Sequence, residues 1–321
     1  MNAAADGLAP AEDCNCVYLP YCDGASFSGH REDPWPVPGG NATLAFRGLA
    51  NLDATLADAL ARLGLKDATE LVVSGSSAGG LATFVHADHV VDVVRAAAPK
   101  LAKAHAAPVV GYFLDHGTAK GPADYPQSYP GRMKYVFGMQ GVGASGAIPD
   151  ACLRAFSSDP HLCFLAPHLV PYVETPLFAF NSFVDQWQLQ NELQSGWATK
   201  EQQDAVVAYG RDFLGALGAL AGKRGSGAFI TSCICHGCEW DKLALQGKTA
   251  YQWYAAWAAG RLPGPDAVVK DGRGPNGDGA IQLPTCAAFP GLLRGGDRGR
   301  WPAAGLLRGG DGGRPAAAAV L

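Results

Sequence analysis

Glu70-Leu-Val-Val-Ser74 runs straight into Gly75-Ser-Ser-Ala-Gly79, and that into an apolar stretch whose hydrophobic residues recur at helical spacing. The first run is β-branched and too short for a helix, so it predicts a buried strand. The last predicts a helix over residues 81–98. A chain that passes from buried strand to helix across five small residues has few backbone solutions. In a G-x-S-x-G turn the central residue, Ser77, takes a strained conformation that lifts its Oγ above the sheet edge. The small residues on either side relieve the crowding. The Ala78 amide then opens the helix, where unpaired N–H groups suit a developing oxyanion.

The alternation continues along the chain. Leu49, Leu52, Leu56, Leu60 and Leu63 keep helical spacing ahead of Gly64. Further strands are predicted at residues 109–114, 176–181 and 228–232, and a helix at residues 199–220 separates the last two. Short buried strands alternating with helices indicate an α/β fold, with a mostly parallel central sheet covered by helices on both faces.

A hydrophobic content of 48% over 321 residues is enough for a sizeable core. The net charge of −4, with Lys and Arg scattered, gives no footprint for a nucleic acid or an anionic membrane surface. No apolar run reaches the length of a membrane span, because Pro and Gly interrupt the longest candidates. Residues 1–262 read as one domain. Residues 263–321 are rich in Gly, Pro, Ala and Arg, and Gly291-Leu-Leu-Arg-Gly-Gly-Asp297 recurs as Gly305-Leu-Leu-Arg-Gly-Gly-Asp311. Such a repeat builds no core, and disorder is expected from about residue 289. Nine cysteines read mainly as a disulfide framework and point to an oxidising compartment. Asn41-Ala-Thr43 is an N-glycosylation acceptor pattern, yet no signal peptide is visible in the first residues.

A serine nucleophile needs a base, and the base needs an orienting acid. Asp185 follows the strand at 176–181, and His236 follows the strand at 228–232, which gives the chain order Ser, Asp, His. Asp115 competes as the acid, but it stands one strand earlier. His86 and His89 sit on the helix after Ser77 and read as packed or solvated. Trp187 and Gln188, beside Asp185, are candidates to line a substrate pocket, with core packing the alternative for Trp187. Cys233, Cys235, His236 and Cys238 are ligand types for zinc, but four ligands in six residues are tighter than structural-zinc spacing, so disulfides are preferred.

These stretches resemble the pectin acetylesterases and their Notum relatives. The resemblance rests on Tyr21-Cys-Asp-Gly-Ala-Ser-Phe-Ser-Gly29, Phe46-Arg-Gly48, Gly75-Ser-Ser-Ala-Gly-Gly80, Gly111-Tyr-Phe-Leu-Asp115, Leu162-Cys-Phe164, Thr175-Pro-Leu-Phe178, Asp185-Gln-Trp-Gln188, and Ser232-Cys233 with His236, in family order over about residues 17–260. It implies an α/β-hydrolase-like fold and a secreted esterase with no metal or cofactor. Ser77, Asp185 and His236 would be its triad. It would act on an acetylated polysaccharide such as pectin, or in the animal branch on a protein-linked lipid acyl group. Family members carry a strand and a Gly-Gly-Gly-Trp-Cys loop upstream of the Tyr-Cys-Asp-Gly segment, and the loop completes the oxyanion hole. Nothing in this sequence matches that loop. The expectation is therefore an N-terminally truncated fold, Cys22 without its partner, and weak esterase activity or a non-catalytic glycan-binding protein. Loss of one oxyanion donor costs about 10²–10³ in kcat.

Overall fold

Both faces of the central strands are apolar. Leu71, Val73, Ala106, Ala179, Ala228 and Ile230 belong to one core cluster, while Val72, Ala107, Val109, Phe178, Phe180, Phe229 and Val269 belong to another on the opposite face. Strands buried on both sides show no alternation of apolar with polar residues, which is why they read as continuous hydrophobic runs. A computed structural model gives the architecture and describes residues 14–123, 125–262 and 267–271, together with the backbone of Ala316–Val320.

The strands of the sheet are β1 (Cys14–Tyr18), β2 (Glu70–Ser76), β3 (Lys103–Val109), β4 (Phe178–Ser182), β5 (Gly227–Thr231), β6 (Val268–Lys270) and β7 (Ala316–Val320). Their spatial order is β1-β7-β2-β3-β4-β5-β6, and every pairing is parallel. The main helices are α1 (Gly48–Arg62), α2 (Ala78–Ala97), α3 (Tyr129–Met139), α4 (Gln186–Asn191), α5 (Lys200–Ala216) and α6 (Ala250–Ala258). Leu52 and Leu56 of α1, Phe84 and Val90 of α2, and Val206, Tyr209 and Phe213 of α5 pack on the first face. Trp253, Tyr254 and Trp257 of α6 cover the second. Capping boxes start α5 at Thr199 with Gln202 and α6 at Thr249 with Gln252. Among the described residues, no helix is long and apolar enough to cross a membrane.

Three expectations change. The strand expected at residues 109–114 lies earlier, at Lys103–Val109. Its Ala-rich sequence with Pro108 carries little β signal, whereas Tyr112, Phe113 and Leu114 are apolar because they pack in the first core, not because they pair. Two strands come from beyond residue 262, where the sequence suggested only a tail. One is β6. The other is β7, which pairs Ala317–Val320 with Leu71–Ser74 on one side and lies beside β1 on the other. A parallel slot leaves two rows of unpaired backbone groups, and a short extended segment satisfies both. The rest of the tail and the first thirteen positions lie outside the described residues, and so does Cys286.

Cys152–Cys163 and Cys235–Cys238 are disulfides, and Cys233 is disulfide-bonded as well. Cys22 is a free, exposed thiol, and Asn41 is exposed.

One tight point in the fold is the crossing of α2 over the end of β3. A Cβ added at Gly80 would lie 2.4 Å from the Val109 carbonyl oxygen and 2.9 Å from the Gly111 backbone. Gly80→Ala is expected to cost about 1–3 kcal/mol through backbone displacement. In thermal unfolding the midpoint should fall by roughly 2–4 °C per kcal/mol. Gly138→Ala is the control, because Gly138 is helical with nothing within 4 Å. That substitution should leave the midpoint unchanged or raise it. Equal midpoints for both variants would show that the crossing is not tight.

Candidate active site

Ser77 adopts φ 58° and ψ −117° between β2 and α2. A non-glycine residue at positive φ is strained, and such strain persists only where surrounding structure holds it. Here the Ser77 amide donates to the Val109 carbonyl at 2.9 Å, and the Leu81 amide donates to the Ser77 carbonyl at 3.0 Å. The side chain is left projecting from the turn. Its Oγ lies 2.8 Å from His236 Nε2.

His236 stands in the loop that follows β5. That loop is held by the Cys235–Cys238 disulfide and by Ser182, whose Oγ donates to the Cys233 carbonyl at 2.5 Å. A disulfide sulfur is no thiolate, so Cys235 and Cys238 are not zinc ligands here. His236 Nδ1 is 2.9 Å from each carboxylate oxygen of Asp185. Asp185 is fully buried and caps α4, accepting from the Gln188 amide at 3.0 Å. Burial pushes its carboxyl above the usual range, and the bond to His236 pulls it back. The three residues therefore form one hydrogen-bonded chain from a strained serine to a buried carboxylate. Ala78 is the first residue of α2, so its amide is one of the N–H groups without an intrahelical partner, on the residue after Ser77.

The other sequence candidates separate. Asp115 bonds His168 Nε2 at 3.1 Å, not His236. His89 is paired with Asp53 and His116 with Asp212. His86 is buried, and burial pushes its imidazole down to about 4. Trp187 is half-buried and packs on the His236 ring at 6.0 Å, and on Phe113 and Tyr129. Gln188 must be corrected. Its side chain is fully buried and faces no solvent; it accepts from Asn181, and its two N–H groups are shared among the Tyr112 carbonyl, Tyr209 and Glu192. The physical reason is the helix that Asp185 caps. Positions 188 and 192 share its inward face, and 187 turns out.

Two elements of the site have no role assigned from the sequence. Ser26 and Phe27 both have positive φ (52° and 60°). Ser26 Oγ donates to the Ala78 carbonyl at 2.8 Å, and His86 Nε2 lies 2.9 Å from the Ser26 carbonyl, so this loop braces the first turn of α2. Asp23 fixes it by accepting from the Ala25 and Phe27 amides. The second element is Glu192, buried behind Asp185 and bonded to Tyr209, Gln188 and the Leu114 amide. Burial pushes its carboxyl up to about 8. The only sequence signal for it was its helical spacing from Asp185 and Gln188.

A family profile described as Pectinacetylesterase matches residues 12–262. Pectin acetylesterase 11 of Arabidopsis thaliana is 30% identical over 255 residues, covering 74% of this chain and 59% of that protein. The palmitoleoyl-protein carboxylesterase NOTUM of Drosophila melanogaster is 26% identical over 226 residues, covering 70% of this chain and 32% of that protein. A solved structure of the Drosophila Wnt deacylase Notum superposes with a TM-score of 0.65 at 24% identity, over 75% of this chain and 67% of the other. The fold is thus α/β-hydrolase-like. The chain spans 59% of the length of the plant relatives first matched.

Proposed function

The chain belongs to the pectinacetylesterase family, and from that premise and the Ser77–His236–Asp185 chain we propose a carboxylic ester hydrolase that removes acetyl groups from a pectin-like polysaccharide. The observation that carries this reading is the geometry at His236, with Ser77 Oγ at 2.8 Å from one ring nitrogen and both Asp185 oxygens at 2.9 Å from the other. Asp185 accepts a hydrogen bond from Nδ1–H, which keeps the proton on Nδ1 and leaves the Nε2 lone pair free for the serine proton. Ser77 Oγ attacks the acetyl carbonyl as His236 takes its proton, and the Ala78 amide donates to the oxyanion. His236 then protonates the departing sugar hydroxyl, leaving acetyl-Ser77. Water, deprotonated by the same imidazole, releases acetate and restores the serine. Family membership and the disulfides support a secreted, cell-wall setting.

A fluorophosphonate probe tests the nucleophile directly. The full chain should be labelled at Ser77 and release acetate from acetylated pectin. A chain that binds the polymer but takes no label at Ser77 would overturn the reading in favour of a non-catalytic glycan-binding protein. Long-chain aryl esters cleaved in preference to acetyl esters would transfer the substrate to a lipid acyl group.

A further inference from the structure

An open cleft of about 730 Å³ lies at the far end of α4, the helix that Asp185 caps. Arg132, Gln190, Asn191, Gln194, Ser195 and Trp197 line it. With six residues rising 1.5 Å each, α4 separates the cleft from Asp185 by only about 9 Å along its axis. A second route joins them, since Trp187 packs on both His236 and Tyr129, and Arg132 is one turn beyond Tyr129 on α3.

The walls are fixed from within. Arg132 Nη2 donates to the Asn191 carbonyl at 2.8 Å, joining α3 to α4. Gln194 sits at φ 55° with its amide donating to the Gln127 carbonyl at 2.7 Å. Gln203 donates to the Trp197 carbonyl at 3.3 Å, tying the outer wall to α5. What the walls offer is chemically mixed. Arg132 has no carboxylate partner among the described residues, in a chain whose net charge is −4. The Gln190 side chain makes no hydrogen bond among the described residues and is exposed. Trp197 adds a half-buried indole. An indole face accepts the apolar C–H face of a sugar ring, carboxamides match hydroxyl groups in both donor and acceptor senses, and a guanidinium pairs a carboxylate in a planar fork.

We propose that this cleft is a subsite for an acidic sugar unit of the polymer, with Arg132 holding the uronate carboxylate and Trp197 the ring. The proposal rests on the esterase reading above for its place in turnover, but not for its binding. A neighbouring unit held here would present the acetylated unit to Ser77 and restrict cleavage to acidic chains.

The test uses the full chain and an unacetylated oligogalacturonide, titrated calorimetrically beside a neutral oligosaccharide of the same length. Arg132→Ala should weaken the acidic ligand about tenfold, as expected for one charge-assisted hydrogen bond at an exposed site, and leave the neutral one unchanged. Trp197→Ala should weaken both. In turnover, Arg132→Ala should raise KM for acetylated acidic oligomers about tenfold with kcat unchanged, and leave a small aryl acetate unaffected. If the wild-type chain binds no acidic oligomer at millimolar concentration, or Arg132→Ala binds it equally well, the subsite is wrong. Binding that depends on Arg132 with no turnover of any ester would keep the subsite and remove the esterase reading instead.

Discussion

Ser77→Ala is expected to lower kcat for an acetyl ester by about 10⁵–10⁶-fold, and His236→Ala by about as much, because nucleophile and base act as one unit. The double variant should fall no further. Asp185→Asn should cost about 10⁴-fold, for a different reason. Asparagine still accepts the Gln188 amide and caps α4, so the fold is kept. Its NH₂, however, can donate to His236 Nδ1, which moves the ring proton to Nε2, where the Ser77 proton must go. Asp185→Ala loses the cap as well and should also unfold earlier. Steady-state kinetics on a chromogenic acetate, alongside thermal unfolding of each variant, separates these effects. An Asp185→Asn enzyme with near-wild-type kcat would mean that the short contacts to His236 hold the loop and do not orient the base.

The local motifs were legible because their physics is local. A strand, a turn of small residues and a helix over residues 70–97 admit few backbone paths, and Asp185 and His236 follow late strands where a parallel sheet presents its C-terminal edge. What escaped notice depends on tertiary context. β3 is built from Lys-Ala-His-Ala-Ala-Pro-Val, which has almost no intrinsic strand preference and is a strand because β2 and β4 flank it. Gln188 looked like a pocket residue beside Asp185 because its facing depends on whether residues 186–191 are helical. The left-handed pair Ser26–Phe27 has no glycine to announce it; the brace from His86 and the Asp23 carboxylate impose it. β7 illustrates the point most plainly. Ala316–Val320 is extended because the two strands beside it leave backbone groups to be paired, a property of the slot and not of the segment.

Glu192→Ala is expected to be the most destabilising substitution near the site, because it removes the acceptor that three buried donors share. Tyr209, Gln188 and the Leu114 amide all point at this carboxyl in a region without solvent. Removing one member of such a buried network costs about 3–5 kcal/mol. The loss should reach the chemistry, because Gln188 supplies both the amide that Asp185 accepts and the side chain that Glu192 holds. Glu192→Gln isolates the charge from the packing. Burial outweighs the three donors and raises the carboxyl from 4.5 to about 8, so the folded chain holds a proton that the unfolded chain releases. Stability is then greatest below the unfolded value and is lost as pH rises towards the folded one. Within that window each pH unit removes at most about 1.4 kcal/mol through this group. Asp185, raised by the same cause, acts in the same direction. Denaturant unfolding between pH 5 and 8 should show wild-type stability falling relative to Glu192→Gln, whose amide does not titrate. Parallel curves for the two proteins would mean that Glu192 is ionised in the folded state and that its three donors, not burial, set its charge.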